Sequence, residues 1–348
     1  MRARLVWGLL AAVLFVAGAA CGTGGSESSG SGGASPGFPA TVTHKLGSTT
    51  VPAPPQRVVT VGLRDADFAL ALGVKPVGVA QWFEGYPNGR GPWAEQAAAG
   101  STPQIVATAD GPNLEAIAAL HPDLILNVYS TTDKAVYDKL SQIAPTVNAP
   151  PNTEDYALSW QEQFKQTGAA LGKPDEAARI TADVEGRIAQ AKAAHPEFQN
   201  KTIVYGGLTG DPGVYTSTDQ RGRFLTALGF RVPPEIDSKA TADSAFFASL
   251  SPENFALLDT DVAILIGPTN NPTEATRLQP LYRQLRNVQQ GRAIFLDELR
   301  GQWSGALSFN SPLSLPYVLD TFVPALSAAA DGNPATPVPT EPAVGPAR

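Results

Sequence analysis

The chain is poor in the residues that most often do chemistry. One cysteine, one methionine and three histidines stand among 348 residues. With no second cysteine, an intramolecular disulfide is excluded. Cys21 closes an N-terminal apolar run, so it is no nucleophile of a folded site. His44, His121 and His195 are scattered near the ends of expected elements, whereas a zinc or manganese site draws on more His or Cys. His121, just before Pro122 at a helix end, reads as an exposed residue without a function. Positive charge is also scarce. The formal net charge is −7, and removing Arg2 and Arg4 with a leader takes it to −9. A general nucleic-acid surface needs a basic face, so the balance argues against one. There is no G-x-S-x-G elbow (Gln302-Trp303-Ser304-Gly305 fails it) and no P-loop. Nothing positive supports catalysis.

Long apolar runs are missing too, with one exception. Leu5 to Ala20 is apolar but only sixteen residues long, short of the roughly 20 that a membrane span needs. Arg2 and Arg4 precede it, as in a secretory signal peptide over 1–20. Gly18, Ala19 and Ala20 before Cys21 resemble a bacterial lipobox, although Gly18 stands where leucine is usual. Cys21 is therefore expected to carry a lipid. Residues 22–37 are almost all Gly, Ser and Ala. The span 21–39 reads as a flexible tether reaching about 20–25 Å.

What is present is a long helix between two similar halves. Pro174 suits a first helical turn, where its missing N–H is not needed. Asp175 and Glu176 meet the positive end of the helix dipole. Ala177, Ile180, Val184, Ile188 and Ala191 form one apolar stripe, and Pro196 ends the run. The spacing predicts a helix over 174–195, within a helical connector over 153–198. On either side the pattern E-x-x-A-x-L-x-x-D recurs before an apolar run, as Glu115 to Asp123 and as Glu253 to Asp261. Upstream, Ala71-Leu72-Gly73-Val74 matches Ala227-Leu228-Gly229-Phe230. Two halves in the same order imply two lobes, 40–152 and 199–330, with a ligand cleft.

Along the first lobe, 41–51 suggests an edge hairpin. Strands are expected at 58–61, 74–80, 105–106 and 124–128. Helices are expected at 65–72, after an Asn113 cap, and at 131–140. A connector helix over 153–171 leads to the long one. The second lobe offers strands at 202–205, 262–266 and 293–296, and a loop holding Tyr215. Its helices are expected at 221–228, around Glu253 capped by Ser251, and at 311–330. The tail 331–348 carries five prolines and few apolar anchors, so it is expected to be disordered. Short apolar strands alternating with helices indicate α/β lobes with largely parallel sheets.

In open α/β sheets, ligands sit at the carboxyl ends of the strands. The loops expected there carry Arg64, Trp82, Phe83, Tyr86, Arg90 and Tyr129 in the first lobe. In the second they carry Tyr215, Arg221, Arg223, Arg300, Trp303 and Phe309. Aromatic faces and guanidinium forks suit a bulky, flat, anionic ligand. Phe309 and Tyr215 are the ones that plain packing explains best. Glu115 and Glu253 stand near the starts of equivalent helices, where the dipole favours a carboxylate. Together they make two acidic points that fit arginines of a two-fold symmetric partner.

Several stretches resemble a known family. They are Pro-Pro-Gln-Arg57-Val-Val, Ala71-Leu-Gly-Val-Lys-Pro-Val-Gly78, Asn113-Leu-Glu115-Ala-Ile-Ala-Ala-Leu-His-Pro-Asp-Leu-Ile-Leu126 and Ser251-Pro-Glu253. All resemble the ferric-siderophore substrate-binding proteins of bacterial ABC importers. Arg221-Gly-Arg-Phe-Leu-Thr-Ala-Leu-Gly-Phe230 and Ser311-Pro-Leu-Ser-Leu-Pro-Tyr-Val-Leu-Asp320 are similar to iron-siderophore lipoproteins of GC-rich bacteria. The resemblance covers about 40–330. It implies two α/β lobes joined by one long helix, a class III periplasmic-binding-protein-like fold with the cleft between lobes. It implies an extracytoplasmic receptor, anchored to the outer face of the cytoplasmic membrane through Cys21. Such a receptor is a non-enzymatic monomer that hands an Fe(III)–siderophore to an ABC permease. No cofactor and no direct protein ligand to the iron is implied, and Glu115 and Glu253 fall on the carboxylates that meet permease arginines. Haem and cobalamin receptors share the fold, and Tyr86, Tyr129 or Tyr215 would then be candidate axial ligands. An exported hydrolase and a cell-wall interaction protein are the readings of other classes. A continuous hinge helix resists bending, so a small closure on ligand binding is expected.

Overall fold

The computed structural model describes residues 37–344 except 84, 132, 208–211, 242–244 and 299. The expected signal peptide, Cys21 and most of the expected tether lie outside the described residues. The expected hairpin is present as β1 (Ala40–His44) and β2 (Gly47–Val51). The first lobe follows with β3 (Val58–Thr60), β4 (Gly78–Ala80), β5 (Gln104–Thr108), β6 (Gly111–Pro112), β7 (Leu124–Asn127) and β8 (Thr146–Asn148). The second contains β9 (Ile203–Gly207), β10 (Gly213–Tyr215), β11 (Phe247–Ser249), β12 (Val262–Gly267) and β13 (Ala293–Asp297).

The sheet orders are β6-β5-β4-β3-β7-β8 and β11-β10-β9-β12-β13. The first is parallel apart from the edge strand β6. The second is mixed: β9, β12 and β13 pair parallel, while β10 pairs antiparallel with both β9 and β11. Tyr215 accordingly ends a strand and does not sit in a loop. The central strands β3, β4, β7 and β12 are buried on both faces, which explains their near-continuous apolar runs. Val58, Leu124, Ile203 and Ile264 face one core shared with the hinge helix. Their neighbours Val59 and Ile125 pack on a second cluster, and Val204 and Ala263 on a third.

The two matched halves share a central parallel pair, although β4 runs parallel to β3 whereas β10 runs antiparallel to β9. Parallel pair β3–β7 corresponds to β9–β12, and the short helices carrying Glu115 and Glu253 precede β7 and β12. Leu72-Gly73 and Leu228-Gly229 end equivalent helices, Asp65–Ala71 and Gln220–Ala227, with both glycines at positive φ. The Glu253 segment is a 3-10 helix, and Ser251 makes no side-chain cap there. Asn113 does cap its helix, accepting from the Ala116 amide.

The long helix spans Pro174–Ala194, about 31 Å at 1.5 Å per residue. Ala177, Val184 and Ile188 are buried, with Ile180 and Ala191 packed beside them. The connector helix before it begins only at Trp160, where Ser159 and Glu162 form a capping box. Residues 153–159 are freed to turn toward the cleft. The expected closing helix 311–330 is two helices, Ser314–Thr321 and Val323–Ala330. Pro324 lacks the N–H that a continuous helix would use, so the chain restarts there. The tail is the clearest correction. Residues 331–344 lie ordered against the second lobe, with a bridge between Gly301 and Ala343 and with Glu341 buried. Its composition offers few apolar anchors, but Val338 packs against the core, and backbone pairing and the buried Glu341 carboxylate hold the rest.

Candidate functional site

The cleft is built from loops at the carboxyl ends of both sheets. After β4, Trp82 and Phe83 stack at 5.1 Å and stay half-buried. Trp82 also meets Tyr129, in the loop after β7, at 6.0 Å. Phe309 arrives from the other lobe, at the end of helix Gln302–Phe309, and is the hub of the wall. It lies 5.6 Å from Trp82, 6.2 Å from Phe83, 6.1 Å from Tyr86 and 5.3 Å from Trp93. Tyr86 is buried and donates its hydroxyl proton to the Gly301 carbonyl at 2.7 Å. Gly305 makes room for that ring, since a Cβ there would sit 1.6 Å from the Tyr86 oxygen. Burial pushes the Tyr86 phenol far above its ordinary range.

Arg64 is the central cation, fully buried at the N-cap of helix Asp65–Ala71. It donates to Gln163 (2.7 Å), to the carbonyls of Phe309 and Leu158 (3.0 Å each) and to Gln220. Its guanidinium lies 3.9 Å from the Tyr129 ring centre. Burial pulls its pKa down to about 10, so it stays charged at neutral pH. Burial likewise pushes the Tyr129 phenol up to about 12. Beside Arg64, Asp65 accepts from the amides of Val128 and Tyr129 and from Gln163, which locks the Tyr129 loop. Asp67 accepts from the Trp93 indole and the Ser311 hydroxyl, both at 2.7 Å. Burial raises each carboxyl to about 6.

Arg221 faces this group from the second lobe. Its guanidinium stacks 3.9 Å from the Tyr215 centroid. One nitrogen pairs with Asp219 at 3.1 Å and another donates to the Ser308 hydroxyl. Burial alone would lower its pKa, but the Asp219 carboxylate and the neighbouring tyrosines raise it well above normal. Its Nε is buried without a partner. That donor is closed to solvent in this conformation, so a ligand oxygen would bond it only as the neighbouring side chains move apart.

Not every expected residue reaches the cleft. Arg90 spends its fork on Glu95 (3.0 Å twice) and its remaining nitrogen on the Ser101 carbonyl. Trp303 is core, packed on Phe322 and donating to the Thr321 hydroxyl. Both are therefore assigned to the scaffold. Arg223 is exposed and lines a cavity of about 860 Å³ on the hinge side, with Trp160, Ile188 and Phe224. Gln220 and Asn310, beside Arg64, form its inner edge. Arg300 is exposed on the loop after β13. Glu115 and Glu253 are exposed in first helical turns.

The structure adds residues that the sequence hid. Tyr156, freed by the late start of the connector helix, lies 5.2 Å from Tyr129 and 6.3 Å from Phe246. It links a 160 Å³ pocket at the ends of β3, β5 and β7 to an opening of about 600 Å³ that reaches Phe246. That size suits a small-molecule ligand. Tyr156 is a lone aromatic in an expected helix, so only its position next to Pro150 and Pro151 could have suggested a loop. Gln163, Gln220 and Ser308 are the other unread members. Among the described residues no group of three His, Cys, Asp or Glu is placed to hold a metal ion.

Similarity to known proteins agrees with this architecture. Residues 58–299 match the family model described as periplasmic binding protein. A probable siderophore-binding lipoprotein of Bacillus subtilis, YfiY, is 30% identical over 307 residues, covering 85% of this chain and 90% of the relative. The crystal structure of a periplasmic solute binding protein from Mycobacterium smegmatis is 35% identical with a TM-score of 0.73, covering 84% of this chain and 98% of that one. Streptococcus pneumoniae PiaA in complex with ferrichrome is 28% identical with a TM-score of 0.70, covering 84% and 99%. The two α/β lobes, the single hinge helix and these matches make this chain a member of the periplasmic binding protein family.

Proposed function

We propose that this protein is an extracytoplasmic receptor that binds an Fe(III)–siderophore and passes it to an ABC permease without chemistry of its own. The observation that carries the reading is Arg221, a buried cation stacked on Tyr215 with its Nε unpaired, within electrostatic reach of Tyr129, which packs in turn on Trp82 and through it Phe83. That pairing suits a chelate with flat, oxygen-rich arms. Iron is cargo, held by the chelator, while arginine and aromatic groups hold the complex. Relatives named for siderophores support the ligand class. Cys21 carries the lipid anchor, and Glu115 and Glu253 are the docking points for the permease. The body works as a monomer.

Titrating tryptophan fluorescence with ferrichrome, Fe(III)–citrate, a ferric catecholate and hemin tests this. Trp82 lies in the wall, so saturable quenching by at least one ferric chelate is expected. No quenching by any of them overturns the siderophore reading. The haem alternative finds less support: the hydroxyls of Tyr86 and Tyr129 already donate to the carbonyls of Gly301 and Tyr156.

A further inference from the structure

Helix Gln302–Phe309 has no cap of its own, because Gly301 stands at its N-cap. The cap comes from about forty residues later. Glu341 accepts from the Ser304 amide through one oxygen and from the Asp297 amide through the other, both at 2.6 Å. Around it the tail pairs with the loop: the Gln302 amide donates to the Pro342 carbonyl (3.0 Å), and the Val344 amide to the Arg300 carbonyl (2.7 Å). Asn270 and Gln302 side chains hold the carbonyls of Glu341 and Ala343. The fit needs glycine at 301, since a Cβ there would lie 2.1 Å from the Glu341 carboxylate.

The far end of the same helix meets the cleft. Ser308 offers its hydroxyl to Arg221 and its carbonyl to Gln220, and Phe309 offers its carbonyl to Arg64. The Gly301 carbonyl at the near end takes the Tyr86 hydroxyl of the other lobe. A helix of eight residues is stiff over this distance, so its N-terminal seat sets where its last turn lies.

We propose that Glu341 is a positioning residue for the ligand site. The strap 341–344 supplies the missing cap, and so holds Ser308 and Phe309 against both arginines and the Gly301 carbonyl against Tyr86. The strap touches none of the aromatic wall itself; it acts through the helix. The ligand arm of the test rests on the receptor reading above, and the exchange arm does not.

The full chain is compared with E341A and E341Q at a temperature where all three are folded. The first arm measures affinity for ferrichrome and Fe(III)–citrate by tryptophan quenching. E341A is expected to weaken binding by up to about tenfold, because the ligand must then re-seat a helix that has lost its cap. E341Q keeps one acceptor oxygen and is expected to recover part of the loss. The second arm is amide hydrogen exchange without ligand. Loss of protection in E341A is expected at Ser304 and also at Ser308 to Asn310. Unchanged affinity in E341A, or faster exchange confined to the first turn, overturns the proposal and leaves Glu341 a local staple. If the wild type binds neither chelate, the receptor reading is in question, and the exchange arm alone decides the positioning role. If E341A does not fold, E341Q carries both arms.

Discussion

Asp123 and Asp261 do the same work in the two lobes. Asp123 sits just before β7 and accepts from the Gln56 and Arg57 amides at 2.7 and 2.9 Å, where the chain enters β3. Asp261 sits just before β12 and accepts from the Thr202 amide and hydroxyl at 2.8 Å, where the chain enters β9. Each carboxylate thus starts a parallel pair in register. The last letter of the repeated E-x-x-A-x-L-x-x-D pattern has a mechanical reason in both halves.

Replacing either aspartate by alanine should lower stability by about 1 kcal/mol, since each leaves strand-entry donors to water. Denaturant unfolding checks this. Ligand affinity should be unchanged, because both residues lie at the opposite ends of the strands from the cleft. A large affinity loss with little change in stability would contradict the assignment.

Arg221 and Arg90 should separate cleanly. R221A removes the stacked cation and is expected to weaken ferric-chelate binding by about tenfold or more, as loss of a charge-assisted contact does. R90A breaks a fork pairing with Glu95 and Ser101, so it should lower the melting temperature and leave affinity nearly intact. Equal affinity losses in both would place Arg90 in the site after all.

The buried carboxyls set a pH dependence. Asp65 and Asp67 are raised to about 6 in the folded state, from an ordinary 3.8. Between those values the folded chain holds protons that the unfolded chain has released. Their contribution is therefore fully present below about pH 4 and falls as pH rises through 6. The melting-temperature difference between D67N and wild type should shift in favour of the variant between pH 4.5 and pH 7. A difference independent of pH would show that Asp67 stays ionised throughout.

Reversing charge at both exposed helix starts tests delivery. E115K combined with E253K should leave chelate affinity as it was and abolish iron uptake in cells that depend on this receptor. Exposed carboxylates contribute little to stability, so folding should be unaffected. Wild-type uptake by the double variant would remove these residues from the docking surface.

Much of the fold was legible because its signals are local. The stripe Ala177, Ile180, Val184, Ile188 and Ala191, opened by Pro174, predicts a helix over 174–195, and the helix spans Pro174–Ala194. Apolar runs bounded by glycine and proline marked β3, β7, β12 and β13 in the same way. These patterns depend on residues one turn or one pleat apart, which is the range over which sequence acts directly. The order of the two halves likewise followed from a repeat that can be read without coordinates.

Only the tertiary structure decided which side chains meet. Arg90 and Arg221 both sit at loop or helix starts near aromatic residues, yet one is consumed by Glu95 and the other keeps a buried nitrogen unpaired. Trp303 and Phe309 lie six positions apart on one short helix and face different ways, so one packs on Phe322 and the other on Trp82 and the aromatic cluster around it. The tail differs from its sequence expectation for the same reason. Its order comes from Glu341 meeting amides at Asp297 and Ser304. Neither the empty cap nor the carboxylate that fills it has meaning until the chain brings them together.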